Sequence, residues 1–324
     1  MNALLGIGAL AVALGAVSNG MAQPYPSRPI TIVVPFSAGG PTDTLARLIS
    51  EPMRKFLGQS ILVENVTGAG GSIGVGRVVR APPDGHMLSL GHWGTHVING
   101  AYYNLTFDLL TDLDPVAMIA SNPQMLVSKV AVPAKNLQEL VAWTKANHDK
   151  IRFGTGGIGG SSHIAGIYFL NRIGLKSEFI PYRGGAPAMQ AMLSGEIDLY
   201  MTQVSSAVSF VRAGKMRAYM VTAKTRQAAA PEVPTVDEAG MPGLYTSVWH
   251  GIWVPKGTPK DINMKLNAAL VETLADSNVR ARFADLGQEI PPRNEQTQQA
   301  LATYHKAEIA KWWPLLKAAG IKAE

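Results

Sequence analysis

The sequence predicts an α/β protein built on a mostly parallel sheet. Two observations indicate this class: short β-branched strands alternate with helical segments, and glycine-rich loops follow several of the strands. With 324 residues, the chain is long enough for about two domains. A hydrophobic fraction of 47% with 16% charged residues is typical of a globular protein and not of a disordered one.

The composition excludes several functional classes. The chain has no cysteine, which removes disulfide scaffolds, thiolate metal sites, iron–sulfur clusters and cysteine nucleophiles. Lys and Arg number 29 against 23 Asp and Glu, a net charge of +6, and this excess is spread along the chain. Because no basic block is interleaved with aromatic residues, we expect no nucleic-acid partner.

The first residues indicate export. Residues 3–17 are apolar or Gly and carry no charge, and this run is too short to span a bilayer. Gly20 and Ala22 supply the small residues of a cleavage site, so we predict that residues 1–22 are a signal peptide cut after Ala22. The segment lacks the usual Lys or Arg near its start, which leaves a buried N-terminal helix as the alternative.

The first predicted strand and helix enclose a glycine loop. Residues 30–34 form a β-branched run that predicts a buried strand, and apolar residues at helical spacing predict a helix over 45–57. The loop between them covers residues 36–43. Within it, Pro41 suits the first helical position, and Asp43 is placed to reach back to a loop N–H.

The rest of the chain continues the alternation. Further strands are predicted around residues 61–63, 87–90, 116–119, 125–127, 151–153, 179–182, 197–201, 218–222 and 247–254. Further helices are predicted over 137–146, 164–170, 187–194, 262–274 and 295–317. Trp249 and Trp253 lie four apart in an extended segment, and Trp312 with Trp313 lies near a helix end, so all four are expected to pack on the core. The Pro/Ala/Gly-rich stretch 228–242 is expected to cross the surface.

Two loops share one design, a strand followed by glycines and a helix start. They cover residues 36–43 and 154–163. Glycines let backbone N–H groups face a ligand, and a helix N-terminus adds unpaired donors with a partial positive charge. In the second loop, Ser161 or Ser162 is expected to cap the helix. The pair predicts an anion site beyond the strand ends, and two ordinary tight turns are the alternative.

Three motifs leave other functions open. Residues 154–159 match G-x-G-x-x-G, which suggests an NAD-dependent oxidoreductase, but Glu178 precedes the next strand instead of ending it. Residues 70–74 match G-x-S-x-G but do not follow a strand directly, as a hydrolase nucleophile would. His92 and His96 have the spacing of a zinc motif, but a helix-breaking Gly and no Glu lie between them. Loop histidines that line a cleft are the simpler interpretation.

A set of short motifs then points to one known family. They lie at residues 25–30, 33–43, 68–74, 83–85, 94–96 with Asn99, 154–163, 181–187, 195–198, 233–235, 238–240, 242–243 and 257–259. In this order, the motifs closely resemble those of the solute receptors of tripartite tricarboxylate transporters, also called Bordetella-uptake-gene receptors. The resemblance covers essentially the whole chain after residue 22. Each motif is weak alone, but the ordered set is highly specific.

The resemblance implies a two-lobed periplasmic binding protein of the flytrap kind, type II-like, in which helices flank a mostly parallel sheet in each lobe. Lobe one would comprise residues 23–121 and 246–324, and lobe two residues 122–245, with the ligand cleft between them. Such a receptor captures a small organic carboxylate in the periplasm and delivers it to the permease subunits in the membrane. We expect a monomer without cofactor, metal site or catalysis.

The resemblance also implies which residues bind the ligand. In this family the two glycine loops clamp a carboxylate, with waters helping, and three other segments meet the rest of the ligand. The expected residues are Phe36, Ser37, Ala38, Gly39, Gly40, Asp43, His92, Thr95, Thr155, Gly156, Gly157, Ser161, Ser162, Tyr182, Gly184, Ala186, Thr202 and Gln203. Several of these positions vary among relatives, so the identity of the carboxylate stays open.

Overall fold

The structure, a computed structural model, describes residues 24–318. The predicted signal peptide, residues 1–22, lies outside the described residues. Between residues 24 and 318, no helix is both long and apolar enough to cross a membrane. The strands are β1 (Ile30–Val34), β2 (Ile61–Asn65), β3 (Met87–His92), β4 (Leu113–Lys129), β5 (Phe153–Thr155), β6 (Phe179–Pro181), β7 (Leu199–Gln203), β8 (Met216–Val221) and β9 (Ser247–Pro255).

The ten α-helices of the described residues include the six that the sequence predicts and four that it does not, over residues 72–79, 99–102, 204–212 and 277–285. They are α1 (Pro41–Leu57), α2 (Ser72–Val79), α3 (Asn99–Tyr102), α4 (Leu137–Ala146), α5 (Ser161–Arg172), α6 (Gly185–Ser194), α7 (Val204–Arg212), α8 (Lys260–Ala275), α9 (Ser277–Asp285) and α10 (Gln298–Ala318). Gly58 and Gly195 end α1 and α6 in the left-handed conformation, as expected for glycine at a helix end.

The strands form two sheets that share β4. One sheet has the order β2-β1-β3-β9-β4, and the other places β7, β5 and β6 on one side of β4 and β8 on the other. In the first sheet, β1 to β4 run in one direction and β9 runs against them. In the second, β5 to β8 run together against β4. This is the mostly parallel, two-lobed α/β fold that was predicted.

Strand β4 corrects one prediction, since residues 116–119 and 125–127 belong to a single strand of 17 residues. Its residues up to Pro123 pair with β9, and those from Gln124 pair with β7. The strand is buried for most of its length, so no polar turn interrupts it. One long strand therefore carries the chain from one sheet to the other.

Each sheet is covered on both faces by apolar side chains. Alternation along β1 sends Ile30 and Ile32 into a core with α1 and α8, whereas Val33 enters the opposite core with α2 and α10. Trp249 and Trp253 are buried in that second core beside Trp312, as predicted. The second sheet has two further cores, one with α4 and α5 and one with α6 and α7.

Two local predictions are wrong. The stretch 228–242 does not simply cross the surface, because Ala230 and Val236 are fully buried in the cores of the second sheet. Neither Ser161 nor Ser162 caps α5. The N-cap is Gly160, in an extended conformation, and it provides no side-chain cap.

Candidate functional site

A cavity lies where the two sheets meet, at the carboxyl ends of their strands. The space between its lining residues is about 510 Å³, a volume that includes solvent at its open side. The residues that line it come from both halves of the molecule: Phe36, Gly40, Pro41, Thr42, His92, Gln124, Gly156, Gly160, Ser161, Ser162, Gly185, Tyr200, Thr202 and Gln203. Both predicted glycine loops contribute to it, so the fold brings the two loops together.

Four helices begin at this cavity. Gly40 precedes α1, Gly160 precedes α5, Gly185 begins α6, and Gln203 precedes α7. Within the described chain, none of these four N-termini has a cap from its own N-cap side chain. Among helices that begin elsewhere, α4 and α9 are capped by asparagine and aspartate side chains, whereas α2, α3 and α8 are not, so it is the convergence of four such ends that distinguishes the cavity. The first-turn N–H groups have no intrahelical partner, so several donors and partial positive charges converge on one space.

Electrostatics at the cavity come from dipoles and not from ions. Among the lining residues, all within the described range, none carries a formal charge at pH 7. Glycines at the helix starts allow close approach to the main chain. The arrangement resembles the anion sites that other proteins build at helix N-termini.

Asp43 braces the first loop instead of facing the cavity. Its carboxylate accepts a hydrogen bond from the Gly39 N–H at 2.9 Å, as predicted, and further bonds from Arg47 and Asn65. Burial opposes ionisation of this group, but these bonds outweigh it and hold the pKa of Asp43 below its usual range. The negative charge is therefore paired with Arg47 and leaves the N-terminus of α1 free.

A hydroxyl network fixes the second loop. Ser162 Oγ lies 2.9 Å from Thr155 Oγ1 and accepts a hydrogen bond from the Gly156 N–H at 2.9 Å. Thr155 Oγ1 in turn donates to the Gly157 carbonyl oxygen. Gly157 has φ 139, a value that L side chains rarely adopt. The serine that was expected to cap α5 thus ties the loop to the end of β5.

His92 is a neutral donor at the end of β3. Burial lowers its pKa to about 4, so the ring is uncharged at neutral pH. Its Nδ1 accepts a hydrogen bond from the Gly94 N–H at 2.9 Å, which places the ring proton on Nε2. Thr95 Oγ1 bonds to both backbone groups of His92, and Phe36 stacks on the ring at 4.6 Å between centroids. The loop around residues 92–95 therefore presents a fixed N–H donor.

The floor of the cavity carries two glutamines that lie opposite each other on β4 and β7. Gln124 and Gln203 are paired in register, and both are buried. Gln124 Nε2 donates to the Ser161 carbonyl oxygen at 3.2 Å. The side-chain oxygen of each glutamine lacks a hydrogen-bond partner among the described residues.

The two halves touch across the cavity. Tyr103, which follows α3, donates to the Ile158 carbonyl oxygen in the second loop at 2.9 Å. A methyl group at Gly184 would lie 2.6 Å from Ser37 Oγ, and one at Gly185 would lie 3.4 Å from Pro41 Cδ. The facing loops are therefore in contact, as in a closed receptor, and at Gly184, with φ 121°, only glycine fits between them.

The predicted ligand residues fall into three groups by position. Those that line the cavity are Phe36, Gly40, His92, Gly156, Ser161, Ser162, Thr202 and Gln203. Gly39 and Ala186 line an adjoining space of about 700 Å³, open solvent included, that shares Gly40, Pro41 and Gly185 with the first. The remaining residues support the loops: Ser37, Ala38, Asp43, Thr95, Thr155, Gly157, Tyr182 and Gly184. Tyr182 is half-buried against the core of the second sheet that contains Met189, and it does not line the cavity.

Six residues that line the cavity are not among the predicted ligand residues: Pro41, Thr42, Gln124, Gly160, Gly185 and Tyr200. Four of these are neighbours of predicted positions on the same loops, so the prediction was close in sequence. Tyr200 lies two residues before Thr202 on β7 and shares its face of the strand. Gln124 had no local signal, because it lies inside a strand with no glycine or turn beside it.

The three alternative motifs do not form sites of the suggested kinds. In the G-x-G-x-x-G loop, β6 ends at Pro181 and no acidic residue follows it, so the dinucleotide alternative is not supported. Ser72 begins α2 and accepts a hydrogen bond from Asn99. His96 is buried in a π-helical turn against Trp253, and no cluster of metal-ligand residues is found within residues 24–318.

Comparisons with known proteins agree with this geometry. The family model described as "Tripartite tricarboxylate transporter family receptor" matches residues 45–321. A protein of Agrobacterium vitis, the "UPF0065 protein in the TAR-I ttuE-ttuC' intergenic region", is 40% identical over 91% of this chain and 86% of its own length. The protein BugT of Bordetella pertussis is 30% identical over 98% of this chain and 97% of its own.

Solved structures are similar over nearly the full length. The periplasmic binding protein BugD has a TM-score of 0.89 and 39% identity, covering 93% of this chain and all of that one. MatC from Rhodopseudomonas palustris, solved with malate, has a TM-score of 0.87 and 38% identity over 90% of this chain and all of that one. An R. palustris protein solved with adipate has a TM-score of 0.86 and 30% identity, covering 92% and 99%. The chain therefore belongs to the tripartite tricarboxylate transporter receptor family.

Proposed function

We propose that this protein is a periplasmic receptor that binds a small organic carboxylate in the cavity between its two sheets. The observation that carries the proposal is the convergence of four uncapped helix N-termini on a space without charged side chains. A carboxylate there would accept hydrogen bonds from first-turn N–H groups and from the fixed Nε2–H of His92. Relatives solved with malate and with adipate support a ligand of this class.

Capture occurs by closure of two lobes. We take lobe one as residues 23–121 with 246–324 and lobe two as residues 122–245, in line with the change of strand partner at Pro123 and Gln124. The contact between Tyr103 and Ile158 forms only when the lobes are closed, so it stabilises the ligand-bound state. A ligand that bridges the two glycine loops would shift the population towards closure.

The physiological role is delivery and not catalysis. The cavity offers donors but no acid–base pair, since the His92 ring is neutral and Asp43 is paired with Arg47. The receptor would leave the cytoplasm with residues 1–22 as a signal peptide cut after Ala22. It would act as a monomer that passes its ligand to membrane permease subunits of a tripartite tricarboxylate transporter.

A melting assay tests the anion site. Ligand that binds only the folded state stabilises it by about 2.7 kcal/mol at 100 times Kd, which corresponds to a rise in Tm of several degrees. In a panel of mono-, di- and tricarboxylates, we expect at least one acid to raise Tm, and its methyl ester to give no shift. Equal shifts from acid and ester would contradict the anion site. Mass spectrometry of small molecules released on denaturation would identify a ligand carried through purification.

A further inference from the structure

The floor of the cavity contains an acceptor that a plain carboxylate cannot satisfy. Gln124 is fully buried, and its Oε1 has no hydrogen-bond partner among residues 24–318. The amide cannot be turned over, because Nε2 donates to the Ser161 carbonyl oxygen, which only accepts. The unpaired atom is therefore the carbonyl oxygen. Gln203, directly opposite on β7, also leaves its Oε1 buried and unpaired.

An unpaired buried acceptor is best satisfied by a donor from the ligand, since a water in that place would have to be ordered inside the closed cleft. The first-turn N–H groups and His92 are donors and match carboxylate oxygens, whereas Gln124 Oε1 repels them. A ligand with only carboxylates and methylene groups would leave this oxygen without a partner when the cleft closes, and that state is unfavourable. A ligand with an O–H or N–H group near its carboxylate would satisfy it.

The charge around the cavity selects between these two donors. No acidic side chain lines the space within the described chain, and the one nearby carboxylate, Asp43, is neutralised by Arg47. The helix N-termini add partial positive charge. An ammonium group would therefore be buried with no counter-ion from the protein, whereas a hydroxyl is neutral and donates equally well to an amide oxygen.

We propose that the ligand is a hydroxy-substituted carboxylate whose hydroxyl group donates to Gln124 Oε1. This inference rests on the proposed function and narrows its substrate class. It assigns to Gln124 the role of a specificity-determining residue that distinguishes a hydroxy acid from the same acid without the hydroxyl.

The test compares acids that differ by one group. Calorimetry on the protein at pH 7.5 would use four matched pairs: lactate with propionate, malate with succinate, citrate with tricarballylate, and mandelate with phenylacetate. Alanine and aspartate would provide the ammonium analogues. In the pair that fits the cavity, we expect the hydroxy acid to bind about tenfold to a hundredfold more tightly than its partner, and more tightly than any amino acid.

The variant Gln124→Met shows whether the glutamine causes the preference. Methionine keeps the length of the side chain but offers no amide oxygen, so the ratio within the pair should fall to about twofold or less. Gln299→Met, on the exposed face of α10, is the matched control and should keep the wild-type ratio. The ratios of the wild-type protein decide the question even if the variant does not fold.

Three outcomes would overturn the inference. They are equal affinity within every pair that binds, tighter binding of an amino acid, and an unchanged ratio in folded Gln124→Met. In each case carboxylates still bind, so the proposed function stands. Absence of binding by every acid would overturn the inference as well, and absence of any Tm shift across the broader panel would then remove the proposed function too.

Discussion

The substitution Gly40→Asp should make the protein more stable and abolish ligand binding. Gly40 is the N-cap of α1, with an extended backbone at φ −78 that any residue adopts. A Cβ there would meet only the Ser37 carbonyl oxygen, at an ordinary 3.4 Å. An aspartate would therefore fit, cap the free N–H groups of α1 and interact favourably with the helix dipole. We expect a gain of about 0.5–1 kcal/mol in the free energy of unfolding, or about 1–4 °C in Tm.

The same carboxylate would occupy the anion site. Two unit charges about 5 Å apart, at an effective dielectric constant of about 20, repel by about 3 kcal/mol, which is more than a hundredfold in Kd. Calorimetry and thermal melting of the same preparation would measure both effects. Gly40→Asn is the matched control, because it has the same size and caps the helix without charge, and it should lose much less affinity. Binding by Gly40→Asp within threefold of wild type would show that the start of α1 is not part of the anion site.

Three further predictions follow from the contacts and the histidines. Tyr103→Phe removes the hydrogen bond to Ile158 across the cleft and should weaken ligand binding by about twofold to tenfold in calorimetry. The control Tyr102→Phe removes a hydroxyl that has no partner among the described residues, and it should leave the affinity unchanged. Equal effects of the two variants would count against closure of the lobes. Affinity for a fully ionised ligand should be constant between pH 8 and 6, because His92 is neutral over that range. An affinity that rises about tenfold per pH unit towards acid would show that His92 binds the ligand as a cation. Burial lowers the pKa of five histidines: His92, His96, His163, His250 and His305. Because the unfolded chain binds more protons below its own histidine pKa of about 6.5, stability in chemical denaturation should fall between pH 6.5 and 4, by up to about 1.4 kcal/mol per pH unit for each histidine. A flat profile over that range would contradict their burial.

Residue patterns in the sequence predict those strands and helices that are determined by interactions between residues close in sequence. The β-branched run of β1, the apolar spacing of α1 and its stop at Gly58 are set by neighbours in sequence, and the structure has them within about one turn. The bond from Gly39 to Asp43 could also be foreseen, because a carboxylate in the first turn lies within reach of the preceding loop.

The predictions that failed concern features determined by contacts between residues far apart in the fold or in the sequence. A serine beside a helix start usually caps it, but Ser162 is pulled towards β5 by Thr155 and Gly156, and Gly160 takes the N-cap position. The single strand β4 depends on β9, which is more than a hundred residues away in sequence. Gln124 lies in the site only because β4 continues from the first sheet into the second. No residue pattern near Gln124 predicts this path of the chain.

A crystal structure of the protein with its bound carboxylate tests the central claim most directly. We predict that the carboxylate oxygens lie against the starts of α1 and α5, within about 3.2 Å of backbone N–H groups or joined to them by one water, with His92 Nε2 as a further donor. A carboxylate held instead by a lysine or arginine side chain, or bound outside the cavity between the two sheets, would contradict it.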